Sequence, residues 1–74
     1  MIYAIQVMYE RAHELDERAL AMRQQLHDGD HPDVARSLNN LAIDLRHLAV
    51  HERARELDEQ ALAMQQRFVR RRPA

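Results

Sequence analysis

Apolar residues recur at Met1, Ile5, Met8, Ala12, Leu15, Ala19, Met22 and Leu26. Steps of three and four draw one continuous stripe along a helix. Asp28-Gly29-Asp30-His31-Pro32 then interrupts the pattern. Gly29 suits the left-handed residue just past a helix end, and Pro32 the first turn of the next helix. Asp30 or His31 is placed to cap that helix, and Asp33 puts negative charge in its first turn, where the helix dipole favours it. A second stripe runs Val34, Leu38, Leu41, Leu45, Leu48, and a third Val50, Ala54, Leu57, Ala61, Met64, Phe68. The step from Leu48 to Val50 is only two residues, which breaks the phase and predicts a turn near Ala49 to His51. The expectation is an all-α chain of three helices, roughly 2–27, 32–49 and 51–70, in one domain over 1–74.

The first and third segments are copies. Residues 10–24 read ERAHELDERALAMRQ and residues 52–66 read ERARELDEQALAMQQ, with twelve of fifteen positions identical at an offset of 42. The differences, His13/Arg55, Arg18/Gln60 and Arg23/Gln65, exchange one polar residue for another. Self-similarity at such a period marks antiparallel helix-turn-helix repeats, here an α-solenoid fragment of about one and a half units. Residues 1–9 depart from that register. They fall where it asks for the tail of an earlier helix and a turn, yet Met1, Ile5 and Met8 extend the stripe of the following helix, so one long first helix is predicted.

His31-Pro32-Asp33-Val34-Ala35, Ser37-Leu38-Asn39-Asn40-Leu41-Ala42, Glu52-Arg53-Ala54-Arg55-Glu56-Leu57 and Gln60-Ala61-Leu62-Ala63-Met64 together resemble the kinesin-light-chain type of tetratricopeptide repeat, whose period is also 42. The wording is similar to actinobacterial repeat arrays that often follow a nucleotide-binding NB-ARC domain. Two departures stand out. The family usually has glycine between its two helices, where this chain has Ala49, a helix former that opens the way to fusing the second and third helices. An aromatic often stands where this chain has Asp16 and Asp58.

The resemblance implies a protein-interaction module whose partners lie in a groove lined by the first helix of each repeat, here the second helix of the chain. At about 100° per residue, the side away from its apolar stripe displays Arg36, Asn40, Ile43 and His47, flanked by Asn39 and Arg46. Arginine and asparagine offer several donors in fixed geometry for a peptide carboxylate or backbone, and Ile43 offers an apolar contact. The same pattern also describes an ordinary solvated face.

Other clusters are weaker. His27, Asp28, Asp30 and His31 share a loop, and His47 and His51 are four apart, but loop and cap chemistry accounts for the first group and a turn divides the second. No metal site and no cofactor are expected. Glu/Arg pairs such as Glu14 with Arg18 read as solvated ion pairs. No glycine-rich phosphate loop, HExxH helix or nucleophile with its base is present in the sequence, so no enzyme is expected. Arg67, Arg70, Arg71 and Arg72 suit a helix C-terminus, without the aromatics a nucleic-acid surface would interleave.

The formal net charge of −1 gives no prior for nucleic acid or acidic membranes. No stretch approaches the roughly 20 apolar residues of a membrane span, and the start lacks a basic leader, so a cytoplasmic location is expected. Seventy-four residues without cysteine bury a modest core, with no disulfide to reinforce it. Met1, Ile2, Tyr3 and Ile5 at one end, and Leu62, Met64 and Phe68 at the other, would leave both repeat ends partly bare in a monomer. Self-association is therefore expected, by end-to-end stacking or exchange of helices. A structural, self-associating unit with no foreign ligand is the rival reading, and a portion of a larger signalling ATPase a third.

Overall fold

The computed structural model describes residues 2–71. Met1 and Arg72, and the side chain of Ile2, lie outside what it describes. Three α-helices follow one another, α1 Ile2–Leu26, α2 Pro32–His47 and α3 His51–Arg71, and the described residues contain no strand. The body is elongated, 51 × 22 × 15 Å. α2 lies against both neighbours, whereas the backbones of α1 and α3 stay more than 8 Å apart.

Local chemistry explains each boundary. Gly29 takes φ +76° in the first loop, a conformation that costs glycine nothing. His31 is the N-cap of α2, its Nδ1 accepting from the Asp33 amide at 3.1 Å, with Pro32 in the first turn behind it. Asp30, the other candidate cap, turns instead to α3. Its carboxylate accepts from Arg67 Nε at 2.9 Å and Nη2 at 3.0 Å, and Arg71 Nη1 lies 3.2 Å away. The hydrogen bonds from Arg67, backed by both positive charges, hold the Asp30 carboxyl below its ordinary range, and Asp30 raises Arg67 in return.

α2 ends two residues before the expected position, and α2 and α3 do not fuse. Ala49 sits at φ +65°, its amide donating to the Arg46 carbonyl at 3.1 Å, while the Val50 amide donates to the Leu45 carbonyl at 2.8 Å. This pair of bonds is the Schellman motif with alanine where glycine is usual. Val50 thereby falls outside α3 and is exposed.

The core belongs to α2 and α3. Ala35, Leu38, Leu41, Ala42 and Leu45 pack with Ala54, Leu57 and Ala61, and from α1 only Leu20 joins as a partly buried neighbour among the described residues. Ala54 and Ala61 are almost wholly buried, and their small side chains let α2 come close to α3. The stripe of α1 is different. Ile5, Met8, Leu15, Met22 and Leu26 are each more than half exposed. α1 turns another stripe toward α2, at Tyr9, Asp16, Leu20, Arg23 and His27.

Candidate functional site

The α1–α2 contact is polar. Arg23 Nη1 donates to the Asp33 carbonyl at 3.2 Å and to Ser37 Oγ at 2.8 Å. The rings of Tyr9 and His47 stack at 4.0 Å between centroids, 10° from parallel. Between these two anchors Asp44 is buried beside Asp16. Burial first, then the hydrogen bond and charge of Asp16, push the Asp44 carboxyl up to about 7. Asp44 Oδ2 is buried without a hydrogen-bond partner. A proton held on Asp44 lets this interface tolerate two acids side by side.

On the open side of α2, Arg36 and Asn40 are exposed, Ile43 is 50% exposed, and Asn39 is half-buried. Arg46 and His47 are held sideways, Arg46 by an ion pair with Asp58 of α3 and His47 by Tyr9 of α1. Thus Arg36, Asn40 and Ile43 form the free strip, while Arg46 and His47 stand on its margins already oriented. Preorganised donors lose less freedom on binding a ligand. A small hollow of about 250 Å³ adjoins the strip where Ile5 and Gln6 approach His47, Leu48 and Ala49.

The opposite side of α2 carries a larger cleft of about 860 Å³. Leu38, Leu41 and Leu45 form its floor, and side chains such as His13 and Gln24 of α1 and Arg53 and Gln60 of α3 rise on either side. No local sequence pattern points to this cleft, because it arises from the gap between α1 and α3.

The histidine–acid group also takes a definite form. His27, His31 and Asp33 bring potential ligand atoms within 4.8 Å of one another. His27 and His31 stack at 3.5 Å, and Phe68 of α3 meets His31 edge-on at 5.8 Å. Nδ1 of His31, however, is occupied by the Asp33 amide, and a helix N-terminus disfavours a cation. Helix capping and ring packing therefore account for this group. His47 and His51 lie on different helices, α2 and α3.

No helix among the described residues is long and apolar enough to cross a membrane. No curated protein and no solved structure matches the chain significantly. A family model described as tetratricopeptide repeat matches residues 1–67.

Proposed function

Since the chain belongs to the tetratricopeptide repeat family, whose members generally mediate protein–protein interactions, we propose that it is a non-enzymatic interaction module of the kinesin-light-chain-like type, working in the cytoplasm. Its ligand is a peptide or partner helix laid along α2. Arg36 and Asn40 supply donors for a carboxylate or backbone carbonyls, and Ile43 supplies an apolar contact. Asn39, Arg46 and His47 flank the ligand. The observation that carries this reading is that Arg36, Asn40 and Ile43 stay exposed on a helix that packs against both α1 and α3.

A labelled acidic peptide with a free C-terminal carboxylate, titrated by fluorescence anisotropy, tests it. The double variant Arg36→Ala/Asn40→Ala should weaken binding at least about tenfold, equivalent to about 1.4 kcal/mol. Leu62→Ala, on α3, should leave it unchanged. Failure of a broad set of such peptides to bind, or indifference to the double variant, would overturn the proposal.

A second reading is favoured by the bare stripe of α1. A structural unit that associates with itself would cover that surface and would need no foreign ligand. The two readings are compatible, because the stripe and the α2 strip lie on different helices.

A further inference from the structure

Three observations say what covers the exposed stripe of α1. First, its spacing is a strict alternation of four and three, with Ile5, Ala12, Ala19 and Leu26 at one seam position and Met8, Leu15 and Met22 at the other. That is the pattern of a helix that packs lengthwise against another helix. Secondly, the structure already shows such packing for the same residues. Ala12, Leu15, Ala19 and Met22 are the copies of Ala54, Leu57, Ala61 and Met64, and in α3 that surface is covered by α2. A helix is therefore the fitting occupant.

Thirdly, a preceding helix of the same chain has no turn at the corresponding place. Gln6-Val7-Met8 are the counterparts of Leu48-Ala49-Val50, where the chain reverses between α2 and α3. α1 runs straight through those three positions as helix. The covering helix thus comes most directly from another molecule.

We propose that this occupant is α1 of a second copy, packed antiparallel about a two-fold axis; the proposal rests on the self-association reading above. The stripe is self-complementary in that arrangement. Met8 faces Leu26 of the second copy, Ala12 faces Met22, and Leu15 faces Ala19, with the same pairs repeated by symmetry. Each alanine meets a large side chain, so the two helices approach closely without leaving a void. Isologous contact of this kind closes a dimer and leaves no open end to propagate. The seam from Met8 to Leu26 spans about 27 Å at about 1.5 Å per residue. Arg36, Asn40 and Ile43 are on α2 and contribute nothing to the seam, so the dimer carries two copies of the peptide-binding strip.

Light scattering on dilution with three glutamate variants, and oxidation of two cysteine variants, test the inference. The natural chain should be a dimer. Leu15→Glu and Met22→Glu should each give monomers of unchanged helicity by circular dichroism, because neither side chain belongs to the protomer core. Leu62→Glu, at the opposite end of the fold, should remain dimeric. The chain contains no cysteine, so a mixture of Leu15→Cys and Ala19→Cys chains should oxidise preferentially to the mixed disulfide, whose geometry demands close Cβ atoms.

A natural chain that is monomeric at every concentration overturns both this interface and the self-association reading. A dimer indifferent to Leu15→Glu and Met22→Glu but split by Leu62→Glu keeps self-association and overturns this interface. Preferential Leu15→Cys homodimers would overturn the antiparallel register.

Discussion

Residues 10–24 and 52–66 are nearly the same sequence in two different positions, and the structure treats them differently. Leu57 is 4% exposed and Leu15 57%, although each stands in the same local wording, Glu-Leu-Asp-Glu. The α3 copy meets α2 through alanines and leucines. The α1 copy meets α2 through Asp16, Leu20 and Arg23, with Tyr9 just before it. Position in a stack, not sequence, decides which stripe of a repeated helix is buried. In a solenoid each such helix has two working faces, one toward its own partner and one toward the next unit. α1 has only the second filled, and α3 only the first, which leaves Leu62 and Val69 exposed.

The largest contrast should appear on truncating equivalent leucines. Leu57→Ala removes a buried side chain from the core and should cost about 2–4 kcal/mol, enough to unfold much of a small domain. Leu15→Ala, measured by urea denaturation in dilute protomer, should stay within about 0.5 kcal/mol of the natural chain. Equal costs would abolish the distinction between the copies.

Next in size is the acidic pair. Asp44 is raised in the folded state to about 7 from an ordinary value of 3.8, so the folded chain binds its proton more tightly than the unfolded one. The stability this proton confers is fully present below about pH 4 and is lost as pH rises through about 7. Asp44→Asn should flatten that slope and stabilise the chain at pH 8 by about 1–3 kcal/mol. The reading is a thermal midpoint followed from pH 5 to about 8 in both chains. Asp58, the counterpart of Asp16, faces Arg46 instead.

Arg23 and its counterpart Gln65 offer a smaller contrast. Arg23→Ala removes two hydrogen bonds that hold α1 to α2 and should cost about 1–2 kcal/mol, whereas Gln65→Ala should cost nearly nothing. Ala49→Gly should run the other way. It relieves the left-handed backbone at φ +65° and should raise stability by about 0.5–1 kcal/mol. A destabilised Ala49→Gly chain would mean that the alanine contributes more than its backbone costs.

Much of this was legible in the sequence. The repeat, the helical class and a cap at Asp30 or His31 follow from residues that act on their own neighbours, and the structure gives the cap to His31. The Ala49 turn was legible too, through the broken phase between Leu48 and Val50, although alanine alone would have favoured fusion. What escaped was the choice of stripe on α1. Apolar spacing there points to Ile5, Met8, Leu15 and Met22, and no local rule reveals that α2 sits instead against Tyr9, Asp16 and Arg23. A signal did exist in the copies. Of their three differences, Arg23/Gln65 falls on the face α1 turns to α2, and His13/Arg55 falls beside it on the wall of the large cleft. Copies diverge where their neighbours differ. The open strip of α2 was readable as a direction from the helix axis. That Arg46 and His47 are held at its margins depends on Asp58 and Tyr9 coming from two other helices, which the spacing does not disclose.

Native-state hydrogen exchange, resolved by residue in dilute protein, tests the central claim most directly, because it reads both copies in one molecule. The amides of 52–66 should exchange with the same high opening free energy as those of α2. Those of 10–24 should open at a lower free energy, as α1 leaves its polar contact without unfolding the rest. Equal protection of the two segments would contradict the account, and would mean that α1 is bound into the core as firmly as its copy.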